Sequence, residues 1–290
     1  MPPRGIDHLV LAVRDLDAAR ARYESLGFTV TPRASHPFGT ANAIVQFTGR
    51  NFLELLEVEK PGKIRPSRKG GRSFAQFNRD FLEDREGMSM LVLEGMDPEA
   101  DRSAFIAAGL TASEPFTFER DARLPDGTRG RVGFTLVFVT HDAAPRAGFF
   151  TCHQHKPEMF WRDAYQSHPN GARSIAEVIF AADDAEAMSA FVADFAGSKA
   201  VQTPLHDYSV DTGRGTVTIA PSWWLNEHRP GIAGQMPEPP AFVAFRLQIP
   251  DPEAVARRAD QAGLPIRRTP RGLVLPAEVM YGVSVIISAR

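Results

Sequence analysis

The chemistry this chain could perform rests on a few residues whose types suit cation binding or proton transfer. His8 lies in the strand-like run Ile6-Asp7-His8-Leu9-Val10-Leu11-Ala12-Val13. Strand alternation puts it on the face of Ile6 and Val10, pointing away from Asp7. A histidine so flanked can also be a plain hydrogen-bonded core residue. Glu54 sits in Phe52-Leu53-Glu54-Leu55. A carboxylate at an inward strand position needs a cation or a strong donor, because an unpaired buried charge is costly. Glu57 has the opposite parity and reads as a solvated or helix-contacting acid. In Cys152-His153-Gln154-His155 the two histidines share one strand face and Cys152 takes the other. That parity argues against a Cys–His nucleophile pair.

The elements that must carry these residues recur. Four apolar strand-like runs, Ile6–Val13, Met88–Glu94, Ile175–Ala182 and Phe242–Ile249, are each followed by an aspartate suited to cap a helix: Asp15, Asp97, Asp184 and Asp251. Pro98 and Pro252 come one residue later, where proline's missing donor does no harm. Helical patterns then run to Gly27, Gly109, Gly197 and Gly263, at intervals of 12, 12, 13 and 12 residues. Three helical turns closed by a left-handed glycine account for such an interval. Short β-rich stretches follow each glycine, so each unit reads β-α-β-β-β. One such sheet has an apolar face and open edges and needs a partner. The expected fold is therefore α+β, four βαβββ modules paired into two half-open barrels. The domains are expected at 1–171, carrying the active site, and 172–290, without metal.

Two stretches interrupt the modules. Glu59–Gly87 carries the basic run Lys63, Arg65, Arg68, Lys69 and Arg72 and reads as a solvated loop before a short helix near Ser73–Glu83, with anion binding as the minor reading. Pro221–Pro240, with Trp223 and Trp224, reads as a long linker packed on the surface.

Composition narrows the function classes. A formal net charge of −2 over 290 residues gives no sign of nucleic acid or an anionic membrane as partner. No apolar run reaches the roughly 18 to 20 residues that a membrane span needs, and the N-terminus enters a strand pattern without a signal-peptide core. The single cysteine, Cys152, excludes an intramolecular disulfide and points to a reducing, cytoplasmic setting. The expected partners are a small-molecule substrate and, in a homodimer, a second copy of the chain.

The module repeat, the opening Ile6–Val13 and Phe52-Leu53-Glu54-Leu55 together resemble the vicinal oxygen chelate superfamily. Gly39-Thr40-Ala41-Asn42, Pro157-Glu158 with Trp161-Arg162, and His168-Pro169-Asn170-Gly171-Ala172 look like its glyoxalase-like domain proteins. This narrower resemblance covers about residues 5–180. It implies a divalent metal ion (zinc, nickel, manganese or iron(II)) inside the first barrel, held by residues of the first and last strands of each module. His8 and Glu54 occupy those positions in module one, Glu54 also being the catalytic residue, and His153 or His155 would complete the set. Counting seven back from Asp97 gives Met90 opposite His8 in the plan, a poor ligand for a hard or borderline ion. The same count gives Glu177 and Ala244 in the second pair, with no histidine to join them. Asn42, Phe160, Trp161 and His168 are candidates for the substrate pocket, His168 being also explicable as a turn residue. The chemistry implied is lyase- or isomerase-type, on a substrate chelated through vicinal oxygens. Iron(II) ring-cleaving dioxygenase chemistry and metal-free sequestration of the bleomycin-resistance type are the alternatives.

Overall fold

The computed structural model describes residues 2–67, 71–123, 127–232 and 236–289. The chain runs β1 (Ile6–Ala12), α1 (Leu16–Ser25), β2 (Ala34–Ser35), β3 (Thr40–Gln46), β4 (Phe52–Val58), α2 (Phe74–Asp84), β5 (Gly87–Glu94), α3 (Pro98–Ala107), β6 (Thr111–Ala112), β7 (Phe116–Arg123), β8 (Arg129–Thr140) and β9 (Gly148–Gln154). Two short helices, α4 (Pro157–Phe160) and α5 (Asp163–Gln166), lead into the second half. That half comprises β10 (Ser174–Ala181), α6 (Ala185–Ala196), β11 (Ala200–Gln202), β12 (Tyr208–Asp211), β13 (Thr216–Ala220), α7 (Ser222–His228), β14 (Ala241–Gln248), α8 (Pro252–Gln261), β15 (Arg267–Thr269), β16 (Gly272–Leu275) and β17 (Ser284–Ser288).

Local chemistry makes the helices start and stop where the aspartates and glycines stand. The Asp15, Asp97, Asp184 and Asp251 carboxylates accept from first-turn amides of α1, α3, α6 and α8, and the glycines that follow these helices all have positive φ. α2 is capped by Ser73, whose hydroxyl accepts from Gln76 N at 3.2 Å. Of the basic run before it, Arg68 and Lys69 lie outside the described residues.

The strands form two open mixed sheets. The first orders as β2-β3-β4-β1-β5-β9-β8-β6, with β7 added beside β8, and the second as β11-β12-β13-β10-β14-β17-β16-β15. Modules one and two thus meet at the antiparallel β1/β5 pair, and modules three and four at β10/β14. Within each module the first strand is parallel to the last.

The outward faces of both sheets, with their helices, pack into one core. Phe149 lies at its centre, with ring centroids 5.0 Å from Phe191, 5.5 Å from Phe242 and 6.0 Å from both Phe180 and Phe195. Asn51 seals the junction by pairing both ways with the Ile175 backbone, at 3.1 and 3.0 Å. Each sheet's inward face carries a separate apolar cluster. The stretch 221–240 is not simply a surface linker. It contains α7, whose Trp224 is 1% exposed and whose Leu225 is fully buried against the second sheet's inner face, whereas Trp223 stays 61% exposed. Trp224 Nε1 donates to the Leu205 carbonyl, which anchors the helix. None of the described helices is long and apolar enough to cross a membrane.

Because Phe149 joins the two halves, Phe149→Ala is expected to lower stability by about 3–5 kcal/mol. Urea unfolding followed by circular dichroism should show an earlier midpoint for the whole chain, and an unchanged midpoint would contradict a shared core.

Candidate active site in the first sheet

The inner face of the first sheet lines a pocket with about 400 Å³ of empty space, solvent at its mouth included. Six phenyl rings wall it: Phe52, Phe74, Phe118, Phe134, Phe150 and Phe160. Its polar groups are His8, His36, Asn42, Glu54 and Arg120.

His8 and Glu54 are brought together. β1 and β4 run parallel with Val10 opposite Glu54, and His8 Nε2 lies 3.6 Å from Glu54 Oε2. The His8 ring stacks on Phe52 with centroids 4.3 Å apart. The strand alternation expected around His8 fails on one side. A register shift between Ile6 and His8 interrupts the β1/β5 ladder, so Ile6 joins the outer core while Asp7 turns to the histidine. Asp7 Oδ1 is 2.5 Å from His8 Nδ1, and Asp7 Oδ2 accepts from Gln154 Nε2 at 2.9 Å. A β-bulge is the usual device for re-aiming a side chain in this way.

The Glu54 carboxylate is 5% exposed. Asn42 Nδ2 donates to its Oε1 at 2.6 Å and also lies 3.3 Å from His36 Nε2. As an amide NH₂ can only donate, that imidazole nitrogen accepts, and Nδ1 carries the proton toward Thr40 Oγ1 at 2.8 Å. Burial, and then the charge of Arg120, hold His36 well below the ordinary histidine range, so it is neutral at neutral pH. Arg120 is 8% exposed and feels the opposite charge of Glu54, which works against its desolvation. Its Nε and the Asn42 Oδ1 have no hydrogen-bond partner among the described residues. Glu57, on the other face as expected, accepts from Leu16 N at 2.9 Å and from Arg33.

The structure does not bring His153 or His155 to this site. On β9 it is Phe150 and Cys152 that face the cavity cluster. His153 Nδ1 lies 3.3 Å from the Gly95 carbonyl, and His155 Nε2 lies 2.8 Å from Thr135 Oγ1, on the opposite face. Cys152 does oppose both histidines, but it is the inward member. Burial, then the charges of Asp7 and Glu54, push its thiol well above its ordinary value, which leaves it un-ionised and unreactive. Module two adds no ligand by symmetry. Met90 matches His8, and Phe150 matches Glu54, each two residues beyond the first-strand partner. Met90 is covered by α2, with Asn78 Nδ2 3.8 Å from its sulfur.

Phe160 and Asn42 line the cavity as expected. Trp161 packs behind the wall, its ring centroid 5.8 Å from that of Phe52. His168 does not reach the cavity mouth. Its Nδ1 accepts from Thr29 N at 2.9 Å, and its Nε2 donates to the Gln46 carbonyl at 2.7 Å.

Among the described residues no group of three or more His, Cys, Asp and Glu side chains forms a metal cage. His8 and Glu54 are the pair whose spacing can be compared with that of two ligands to one ion. Ligands at 2.0–2.2 Å from one zinc-like ion, at a tetrahedral angle, lie roughly 3.3–3.6 Å apart. The His8–Glu54 separation of 3.6 Å meets that spacing. Asp7 beside Nδ1 orients the ring so that Nε2 faces the Glu54 carboxylate, and a cation between the two would be held by both side chains.

Residues 6–195 match the glyoxalase-like domain family. The chain belongs to this family, within the vicinal oxygen chelate superfamily. No curated protein matches it in sequence. Among solved structures it is similar to a hypothetical protein from Staphylococcus aureus, at 15% identity and TM-score 0.65, over 98% of both chains. It is also similar to a Mn(II)-bound glyoxalase from Novosphingobium aromaticivorans, at 11% identity and TM-score 0.57, covering 99% of this chain and 82% of that one. A catechol 2,3-dioxygenase matches at 10% identity and TM-score 0.54, over 100% and 94%. Identities this low speak for the fold alone.

The His168 contacts generate a pH prediction. Burial lowers its pKa below the unfolded value of 6.5, against the opposing pull of the Gln46 carbonyl. The unfolded chain therefore binds the proton more readily, and the stabilisation is complete above about pH 6.5 and is lost as pH falls through the folded value. His168→Gln should cost about 1–2 kcal/mol at pH 7.5, and the gap from wild type should shrink at pH 5 in urea titrations. A gap that widens on acidification would contradict a neutral, bridging imidazole.

Proposed function

We propose that the protein is a metal-dependent enzyme of the glyoxalase-like class, with lyase- or isomerase-type chemistry on a small substrate bearing oxygens on adjacent carbons. The observation that carries this reading is the facing pair His8 Nε2 and Glu54 Oε2, 3.6 Å apart in an aromatic cavity. A divalent ion held by these two side chains would polarise the two substrate oxygens. Asp7 fixes the orientation of His8, and Asn42 holds one oxygen of Glu54. Glu54 is the one carboxylate among the described lining residues, and so the group there that can take a proton from a substrate carbon. The neutral His36 accepts from the Asn42 amide and so helps to aim it at Glu54. Arg120 provides a fixed positive charge with a free Nε for an ionised substrate oxygen. The phenyl walls exclude water and select a small, largely apolar body.

One observation favours a second reading, a metal-free small-molecule binder. Met90 and Phe150 stand where a complete chelate would have further ligands, and Arg120 already offsets the Glu54 charge.

Elemental analysis of protein purified without chelator separates the two. The enzyme reading expects stoichiometric divalent metal in the wild type, lost in His8→Ala and in Glu54→Gln and retained in Glu57→Gln. Turnover should fall by at least about 10²-fold in Glu54→Gln. Equal metal content in wild type and both site variants would end the metal reading. Ligand affinity indifferent to chelator, in protein without metal, would establish the binder. Iron with oxygen uptake would instead move the chemistry to the dioxygenase class.

A further inference from the structure

The inner face of the second sheet repeats the plan of the first with different side chains. Glu177 lies seven residues before Asp184, as His8 lies before Asp15, and the ladder slips beside it in the same way. Thr218 holds the position of Glu54, two residues beyond the partner of Glu177 on the parallel last strand. Instead of a histidine–carboxylate pair, the site holds a carboxylate crowded by arginines. Thr218 Oγ1 donates to Glu177 Oε1 at 2.7 Å, and Arg229 Nη2 donates to the same oxygen at 3.1 Å. Arg246 takes Oε2, from Nε at 2.8 Å and from Nη2 at 2.7 Å.

Beside this network is a pocket with about 480 Å³ of empty space, solvent at its mouth included, between residues 228–232 and the β15–β17 region. Arg229 lines it, with a side chain only 7% exposed and with Nε and Nη1 lacking a hydrogen-bond partner among the described residues. Arg271 stands at its rim, and Pro230, Ile232, Val274 and Ile286 supply apolar wall. His228 also lines it. Its Nδ1 donates to the Trp224 carbonyl at 3.1 Å. Two guanidinium groups, Arg229 and Arg246, thus share one carboxylate, Glu177, whose oxygens are already engaged, and Arg271 adds a third positive charge nearby. Glu177 is the acid that offsets the charge of Arg229, and Arg271 and Arg246 both repel it. A buried guanidinium with orphaned donors and an excess of like charge lacks an anion.

We propose that this cavity is a second ligand site, which takes a small organic monocarboxylate with an apolar body. The carboxylate would meet the unpaired guanidinium donors of Arg229, with Arg271 beside it, and the body would lie along Ile232, Val274 and Ile286. The apolar wall is what separates this ligand class from a free inorganic anion.

Isothermal titration of the full chain with benzoate tests this, with inorganic phosphate as the comparison. Saturable benzoate binding is expected in the wild type, weakened about tenfold or more by Arg229→Lys, which keeps the charge but loses the planar donors. Arg271→Gln, on the exposed rim, should also weaken it and is safe should the Arg229 variant fail to fold. Arg120→Met, which alters only the first cavity, should leave this binding unchanged. No saturable benzoate binding at millimolar concentrations would overturn the proposal. So would binding abolished by Arg120→Met and untouched by Arg271→Gln, or phosphate bound where benzoate is not.

Discussion

A carboxylate inside a cavity walled by phenyl rings has to be answered by its surroundings, and the first sheet is arranged around that constraint at Glu54. Water cannot solvate it, and burying it unpaired would destabilise the fold. Asn42 donates to one oxygen, Arg120 contributes charge from the added strand β7, and His8 faces the other oxygen. His8 is itself answered by Asp7, and Asp7 by Gln154. The chain of contacts thus links β7, β3, β4, β1 and β9 through polar groups inside an otherwise apolar shell. Removing a middle member would leave a buried charge without a partner, which is the costly way to break such a network.

The second sheet meets the same constraint with another solution. Its acid moves from the last strand to the first, as Glu177, and arginines replace the histidine. Trp224 and Leu225 of α7 cover part of the second sheet's inner face and leave its pocket beside them. Modules two and four contribute Met90 and Phe150, and Ala244 and Ile286, at the equivalent places. In both halves the central acid is therefore supplied by the first module of the pair, while the second adds wall and an arginine, Arg120 from β7 and Arg246 from β14. A fold can be repeated while its sites diverge, which is why function has to be argued from each site separately.

The repeat and its pairing were legible because they rest on local rules. An aspartate cap, a three-turn helix and a left-handed glycine leave fixed spacing in the sequence. His8 and Glu54 were legible for the same reason, being counted from Asp15 and from a Leu-Glu-Leu alternation. Asp7 was not, because alternation sends it outward and only a bulge in the ladder returns it. His153 and His155 were misplaced because β9 is buried on both faces. Phe149 and Phe150 are equally apolar, so periodicity does not say which face is inward. Arg120 carried a readable signal: Phe116, Phe118 and Arg120 fall on one face of a strand that extends past Glu119. His36 sits in the turn between β2 and β3, where no periodicity applies.

The arrangement of the two sheets also sets how their sites can influence each other. Both inner faces turn away from the shared core, so no cavity lining is common to the two. Phe149 and Phe150, adjacent on β9, mark the division: one ring stands in the common core, the next in the wall of the first cavity. A close-packed core shifts little without losing contacts. Occupation of one cavity therefore reaches the other only by moving β9 or β1 as a rigid strand. The interlocked aromatic rings around Phe149 oppose that movement, and the two sites are expected to bind independently.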